Sequence, residues 1–303
     1  MKIPYYPGCT MKADKGNGTG FEQSAVAAAA TLGIELVEMP RWYCCGTIYS
    51  TASDDLMKHL GSVRDLSKIQ QAGDNKLVTL CSMCYNTLAM VNVMLKQEPD
   101  KLNTINEFMA PEEEAYRGEV DVLHFLQILK TDVGFDNIAS RVQTPLKGLK
   151  VAPYYGCVLT RPEDVAIDDM EEPRIMHDLL NVLGAEVIDD PYKVECCGSY
   201  QTIGPMKEAV IERTYRIVKN IANNGAEAIV LSCPLCEFNL DARQKDALEQ
   251  HPDLPRIPIL YFSQLLALAL GLDPDLCKFE NHHIDPRPLL AKLNVLKEIP
   301  NIR

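Results

Sequence analysis

The chain is organised around the run Tyr43-Cys44-Cys45-Gly46, which is followed about 35 residues later by Cys81-Ser82-Met83-Cys84. The same pattern occurs a second time, as Glu195-Cys196-Cys197-Gly198 and Cys233-Pro234-Leu235-Cys236. A lone cysteine precedes each copy, in Tyr5-Tyr6-Pro7-Gly8-Cys9 and in Tyr154-Tyr155-Gly156-Cys157. Ten of the eleven cysteines therefore belong to two sets of five, and what these sets hold determines the function.

The spacing of the cysteines indicates an internal duplication. A shift of 152 positions moves the doublet and the Cys-x-x-Cys of the first copy onto those of the second, and a shift of 148 moves Cys9 onto Cys157. The runs 122–129 and 259–266 also resemble each other. Self-similarity on this scale is typical of a duplicated domain. We predict one domain over 1–146 and a second over 147–303 with a C-terminal tail.

The hydrophobic pattern predicts alternating strands and helices in both halves. Parallel strands joined by helices form an open sheet, and its ligands bind beyond the carboxyl ends of the strands. We expect an α/β fold with two pseudo-symmetric duplicated domains, each a small open mostly parallel sheet flanked by helices. Strands are predicted over 2–8, 34–39, 76–80, 120–124, 149–155, 185–188, 228–231 and 257–261, and helices over 21–32, 54–72, 125–130, 172–183, 206–223 and 262–270. A further helix is expected after Cys84, and 97–118 is predicted to be a polar excursion with some helix.

Composition excludes some classes of function. The formal net charge of −12 argues against a nucleic-acid surface, which is normally basic. No segment reaches the roughly 18 consecutive apolar residues of a membrane helix, and the first residues lack the pattern of a signal peptide. We therefore expect a cytoplasmic protein. Because disulfides are rare in a reducing compartment, the cysteines are expected to bind metal or to perform redox chemistry.

Five thiols in each set limit what the sets can hold. A zinc site needs four ligands in a tetrahedron, and two adjacent cysteines do not easily face one small ion. Thiolates in larger number suit a polynuclear iron–sulfur centre, although the serial spacing of a ferredoxin is absent. The spacing favours a multi-iron cluster, with zinc binding and thiol–disulfide exchange by bare cysteines as alternatives.

The motifs resemble the CCG cysteine-rich domain, and two complete copies on one chain resemble the B subunit of heterodisulfide reductase. The resemblance rests on Tyr-Tyr-Pro-Gly-Cys, Trp-Tyr-Cys-Cys-Gly, Tyr-Tyr-Gly-Cys-x-x-x-Arg-Pro, Glu-Cys-Cys-Gly and Cys-Pro-Leu-Cys. It implies two noncubane [4Fe-4S] clusters. Matched by motif, the ligands of one cluster would be Cys9, Cys44, Cys45, Cys81 and Cys84, and those of the other Cys157, Cys196, Cys197, Cys233 and Cys236.

The resemblance also implies a function and partners. The substrate in the family is the mixed disulfide of coenzyme M and coenzyme B, which is reduced to two thiols. Electrons come from the ferredoxin-like C subunit, which receives them from the flavoprotein A subunit. The methanogen members have a histidine where this chain has Val158, so a different disulfide is an alternative substrate. Alternative functions are an iron–sulfur electron-transfer module of another oxidoreductase complex and a zinc-stabilised scaffold.

A few other residues are candidates for the site. His124 is the predicted catalytic proton donor, and its repeat partner is Tyr261, although a histidine at a strand end is commonly a structural core residue. Four cations near the motifs are expected either to steer anionic groups or to be solvated surface charges: Lys12, Lys15, Arg161 and Lys207. Cys277 is expected to be a buried or free thiol, and His282-His283 is assigned no role.

Overall fold

The computed structural model describes residues 1–13, 16, 18–47, 55–111, 114–202 and 206–296. The predicted first residue of the helix over 54–72 and the cation Lys15 lie outside them.

The first half of the chain alternates strands and helices. Its strands are β1 (Lys2–Tyr6), β2 (Glu35–Glu38), β3 (Lys76–Thr79) and β4 (Asp121–His124). Its helices are α1 (Gly18–Thr31), α2 (Leu60–Gln71), α3 (Ser82–Gln97), α4 (Pro99–Met109), α5 (Phe125–Ile128) and α6 (Phe135–Arg141). A π-helical turn over Leu129–Val133 joins α5 to α6.

The second half repeats this alternation of strands and helices. Its strands are β5 (Lys150–Pro153), β6 (Glu186–Val187), β7 (Ala228–Leu231) and β8 (Ile259–Tyr261). Its helices are α7 (Ile175–Val182), α8 (Lys207–Asn223), α9 (Pro234–Asp241), α10 (Gln244–Gln250), α11 (Phe262–Ala269) and α12 (Arg287–Lys292).

The two sheets have the same topology. The strand order is β2-β1-β3-β4 in the first and β6-β5-β7-β8 in the second, and each neighbouring pair is parallel. The central strand β7 is buried along its whole length, as expected for a parallel sheet covered by helices on both faces. The predicted fold class is therefore confirmed.

Helix α1 joins the two halves by packing against α11. The ring of Phe21 stacks on that of Tyr261 with centroids 4.2 Å apart. Small residues let the C-terminal tail approach α1 closely, since a Cβ on Gly20 would lie 2.1 Å from the backbone oxygen of Cys277. The tail up to residue 296 thus packs on its own chain around this contact.

Three segments differ from the sequence prediction. The helix predicted over 54–72 is divided into a 3-10 turn over Leu56–His59 and helix α2. No helix is predicted just before the domain boundary at residue 146, but helix α6 lies there and packs against α7 of the second half. Helix α7 begins at Ile175 instead of Glu172, because Asp168 Oδ2 accepts hydrogen bonds from the backbone nitrogens of Arg174 and Ile175. None of the described helices is both long and apolar enough to cross a membrane.

Candidate metal centre

The first cysteine set lies at the carboxyl edge of the first sheet. It comprises five residues: Cys9, Cys44, Cys45, Cys81 and Cys84. Cys9 follows β1, the doublet follows β2, and Cys81 follows β3 as the residue that precedes α3. The parallel topology brings these segments to one edge, where ligands of such sheets bind.

The thiols of the first set are in mutual contact. The Sγ atoms of Cys45 and Cys84 are 3.6 Å apart. Contacts with the thiols of Cys45 and then Cys9 lower the pKa of Cys44 to about 2, and Cys84 also interacts with Cys81. Cys9 and Cys44 are exposed, and the other three are buried. The set is therefore a compact group of thiols with one side open to solvent.

The second set repeats this arrangement with less exposure. It comprises Cys157, Cys196, Cys197, Cys233 and Cys236, of which the first two are half-buried and the rest buried. The Sγ atoms of Cys197 and Cys236 are 3.3 Å apart. Contact with Cys157 lowers the pKa of Cys196 to about 6, and the backbone nitrogen of Gly198 donates to Cys196 Sγ over 3.3 Å.

The two sets meet at the interface between the halves. Contact with Cys233, and then with Cys84, lowers the pKa of Cys81 well below its ordinary value. Contact with Cys236 lowers the pKa of Cys233, but Cys81 and burial together outweigh this and raise that pKa to about 12. Cys81 and Cys233 are the thiols through which one set reaches the other.

Two tyrosines hold the cysteine doublets in place. Tyr6 donates a hydrogen bond to the backbone oxygen of Tyr43 over 2.8 Å, and Tyr154 donates to that of Glu195 over 2.5 Å. Each acceptor immediately precedes a doublet. Sequence reasoning missed this role, although both lone-cysteine motifs place a tyrosine three residues before the cysteine.

The glycine that precedes each lone cysteine leaves room for the last thiol of the same set. Gly8 has a φ of 77° and a ψ of 164°, and a Cβ there would lie 2.9 Å from Cys84 Sγ. Gly156 has a φ of 66°, and its Cβ would lie 3.2 Å from Cys236 Sγ. Both positions need glycine for the positive φ and for the close approach of a thiol.

His124 has a structural role in the described fold. Its Nδ1 accepts from the backbone nitrogen of Leu126 over 3.2 Å, so Nε2 carries the hydrogen and donates to the backbone oxygen of Leu80 over 2.7 Å. Burial lowers its pKa to about 3. With both ring nitrogens bonded to backbone, the geometry favours a helix cap, and the role as a proton donor stays a prediction.

The repeat partner Tyr261 occupies the equivalent cap position. Gln127 Oε1 accepts from the backbone nitrogen of His124, and Gln264 Oε1 accepts from that of Tyr261. The hydroxyl of Tyr261 has no hydrogen-bond partner among the described residues, and burial raises its pKa well above the ordinary value. The resemblance of 122–129 to 259–266 thus corresponds to a repeated capping motif.

The described cations near the motifs are paired with carboxylates. Lys12 binds Glu22 and Glu38, Arg161 binds Glu171, and Lys207 binds Asp246. Such surface pairs contribute little to stability. Cys277 is a buried free thiol, as expected.

A buried group of Glu237, Asp241 and His282 lies beside the second set, with potential ligand atoms within 4.8 Å of one another. Gln264 Nε2 donates to the backbone oxygen of Cys277 and lies 2.9 Å from His282 Nε2. His282 Nε2 therefore accepts, so the hydrogen is on Nδ1, which lies 3.9 Å from Glu237 Oε1. Because Nδ1 would need a free lone pair to bind a cation, this tautomer favours hydrogen bonding over metal binding.

The ten thiols fit an iron–sulfur centre in their chemistry. All are free cysteines, and thiolate is the ligand by which proteins hold such clusters. Two of the cysteine pairs already have Sγ atoms 3.3–3.6 Å apart, and most of the thiols are buried. The described geometry gathers the predicted ligands into two groups and leaves Cys277 apart from them.

A comparison with known protein families finds the same two groups of cysteines. A family model described as the CCG cysteine-rich domain matches residues 3–89 and 151–241. The chain belongs to the CCG cysteine-rich domain family. Each match of the CCG domain contains one complete cysteine set, so the duplication seen in the sequence is a duplication of this domain.

Two similar proteins align with most of this chain. The 8-methylmenaquinol:fumarate reductase membrane anchor subunit of Wolinella succinogenes is 30% identical over 89% of this chain and 93% of its own length. The B subunit of the Ferredoxin/F(420)H(2)-dependent CoB-CoM heterodisulfide reductase of Methanosarcina acetivorans is 29% identical over 96% of this chain and 97% of its own length.

A solved structure shares the fold. A hypothetical protein from Helicobacter pylori has a TM-score of 0.73 and 11% identity over 93% of this chain. The chain spans 51% of the length of that protein. At this identity the likeness concerns the architecture alone, and it agrees with two similar halves built on parallel sheets.

Proposed function

We propose that the chain is the catalytic B subunit of a heterodisulfide reductase complex. It reduces a mixed disulfide to two thiols at two noncubane [4Fe-4S] clusters, one on each cysteine set. The observation that carries this proposal is the meeting of two complete thiol sets at one interface. There the backbone nitrogen of Ser82, next to Cys81, donates to the backbone oxygen of Ser232, next to Cys233. The name of the Methanosarcina acetivorans relative supports the reaction class.

The cysteines of each set would act as the ligands of one cluster. The first set would bind through Cys9, Cys44, Cys45, Cys81 and Cys84, and the second through Cys157, Cys196, Cys197, Cys233 and Cys236. Each cluster, when bound, would supply one of the two electrons that a disulfide needs. The tyrosines and glycines described above would keep the thiols in place before the group is bound.

The substrate would be a disulfide of the coenzyme M–coenzyme B type. The relative's printed name supports this class. Val158, which follows the second lone cysteine, is a buried apolar side chain and cannot donate a proton. Another disulfide with the same chemistry is therefore the alternative substrate.

The electron donors would be separate proteins of the complex, the ferredoxin-like C subunit together with the flavoprotein A subunit. The exposed thiols Cys9 and Cys44 support entry of electrons at the first set. We also propose domains over 1–146 and 147–303 and a cytoplasmic location. Helix α6 would then belong to the first domain while packing on the second.

A second candidate is an electron-transfer subunit of another oxidoreductase complex. The name of the Wolinella succinogenes relative, which belongs to a fumarate reductase, favours it. In that case the two clusters would relay single electrons, and no disulfide would be cleaved.

Turnover with reduced viologen and candidate disulfides separates the two functions. The anaerobically purified chain is mixed with reduced viologen, and its oxidation is followed after each disulfide is added. Oxidation coupled to thiol release supports the reductase. Reduced viologen that is oxidised by no disulfide, in a sample with full iron content, supports the relay.

A further inference from the structure

Two buried serines bond to each other across the interface between the halves. The Oγ atoms of Ser82 and Ser232 are 2.7 Å apart. The backbone nitrogen of Ser82 donates to the backbone oxygen of Ser232 over 3.2 Å, and Ser82 Oγ is 3.3 Å from the same oxygen. Both serines are at most 1% exposed.

These serines are the chain neighbours of the two thiols that join the sets. Ser82 follows Cys81, and Ser232 precedes Cys233. The preceding strands β3 and β7 are inner strands of their sheets, so each cysteine is attached to a rigid core. A hydrogen-bonded pair at this place fixes the distance between the two strand ends that carry Cys81 and Cys233.

We propose that the Ser82–Ser232 pair is a positioning element that holds Cys81 against Cys233 and so sets the electronic coupling between the two cysteine sets. The inference rests on the proposed function, in which each set carries a redox group. Neither serine touches the substrate in this account. They act through the cysteines beside them.

The chemistry explains why such positioning matters. Reduction of a disulfide consumes two electrons and two protons and yields two thiols, whereas a one-electron carrier supplies electrons singly. In the proposed function, the group held by each set would supply one of these two electrons. An electron that enters at the exposed first set would have to cross to the second set, and the Cys81–Cys233 contact lies between the two.

A second serine pair provides a matched control. Ser24 and Ser263 also bond across the halves with Oγ atoms 2.7 Å apart, and both are fully buried. They lie between α1 and α11, on elements that carry none of the ten set cysteines. Their replacement removes a hydroxyl of the same kind from the same interface without altering the neighbours of Cys81 or Cys233.

The experiment compares Ser82→Ala and Ser232→Ala with Ser24→Ala and Ser263→Ala in the full chain, reconstituted anaerobically with iron and sulfide. Iron content, the EPR splitting between the reduced groups, and viologen-driven disulfide turnover are measured. We expect all variants to bind iron. Ser82→Ala and Ser232→Ala should lose the splitting and about 10- to 100-fold of turnover, since a misplacement of about 1 Å can cost a reaction about 100-fold.

Equal splitting and turnover in all four variants would overturn the positioning role. A measurement on the chain without iron tests the positioning role separately from the proposed function. Diamide, which takes up two hydrogens from two thiols, is added to the iron-free reduced chain, and formation of the Cys81–Cys233 disulfide is followed by peptide mass spectrometry. The disulfide should form more slowly in Ser82→Ala than in Ser24→Ala. Equal rates contradict the inference, whereas a wild-type chain that binds no iron contradicts only the proposed function.

Discussion

Gly8→Ala should damage the first cysteine set in a way that a similar glycine elsewhere does not. At φ 77° and ψ 164°, alanine occupies a region that is essentially restricted to glycine, at a cost of about 1–3 kcal/mol. The new Cβ would lie 2.9 Å from Cys84 Sγ, and ordinary contact begins at 3.4 Å. The thiol must therefore move, which adds about 1–3 kcal/mol of overpacking.

Gly33→Ala is the matched control. Gly33 also has a positive φ, of 87°, but a Cβ there meets no atom within 4 Å. Its replacement should cost about 1–2 kcal/mol from the backbone alone. Chemical denaturation measures the free energy of unfolding of both variants, and iron and labile sulfide are measured after reconstitution.

The two variants should differ in both measurements. Gly8→Ala should lose more stability than Gly33→Ala and should hold about half the iron of the wild type, because only the first set is disturbed. If both variants lost the same free energy and Gly8→Ala kept its full iron content, the claim that the turn at Gly8 is shaped by Cys84 would be refuted.

Three further predictions concern the same regions. Tyr6→Phe and Tyr154→Phe each remove one hydrogen bond to the backbone before a doublet, so each should lower the free energy of unfolding by about 0.5–1.5 kcal/mol and speed iron loss from its own set; unchanged iron release would contradict the role of the tyrosines. The pKa of His124 falls from 6.5 in the unfolded chain to about 3 in the folded chain. The neutral histidine therefore contributes fully to the free energy of unfolding above pH 6.5. This contribution, at most about 5 kcal/mol, is lost as the pH falls toward 3. Between pH 6.5 and 3, the free energy of unfolding of His124→Gln should decline less steeply than that of the wild type, and equal slopes in the two proteins would refute this. Cys9→Ser and Cys157→Ser should each leave about half of the iron, and loss of all iron from either would contradict independent sets.

The sequence predicts the duplicated architecture because its signals are local and repeated. The cysteine spacing and the strand–helix alternation survive in both halves, and parallel topology then brings each set to one edge. Helix α6 was not predicted, because Gly134, Pro145 and Gly148 around it resemble a linker and because it packs against α7 of the other half, far away in the sequence.

The contacts between the halves could not be predicted from the sequence either, because they join residues that are far apart in the chain. Ser82 and Ser232 are 150 positions apart and do not occupy equivalent places in the repeat, so no internal comparison pairs them. The role of His124 depends on the hydrogen-bond partners of both ring nitrogens, which only the folded geometry supplies. Tyr6 and Tyr154 had a visible signal in their shared distance from the lone cysteines.

The metal content of the anaerobically purified chain tests the central claim most directly. Two groups of four irons predict about eight irons and about eight labile sulfides per chain, with an EPR signal that changes when a thiol oxidant is added. Zinc without labile sulfide would contradict the account.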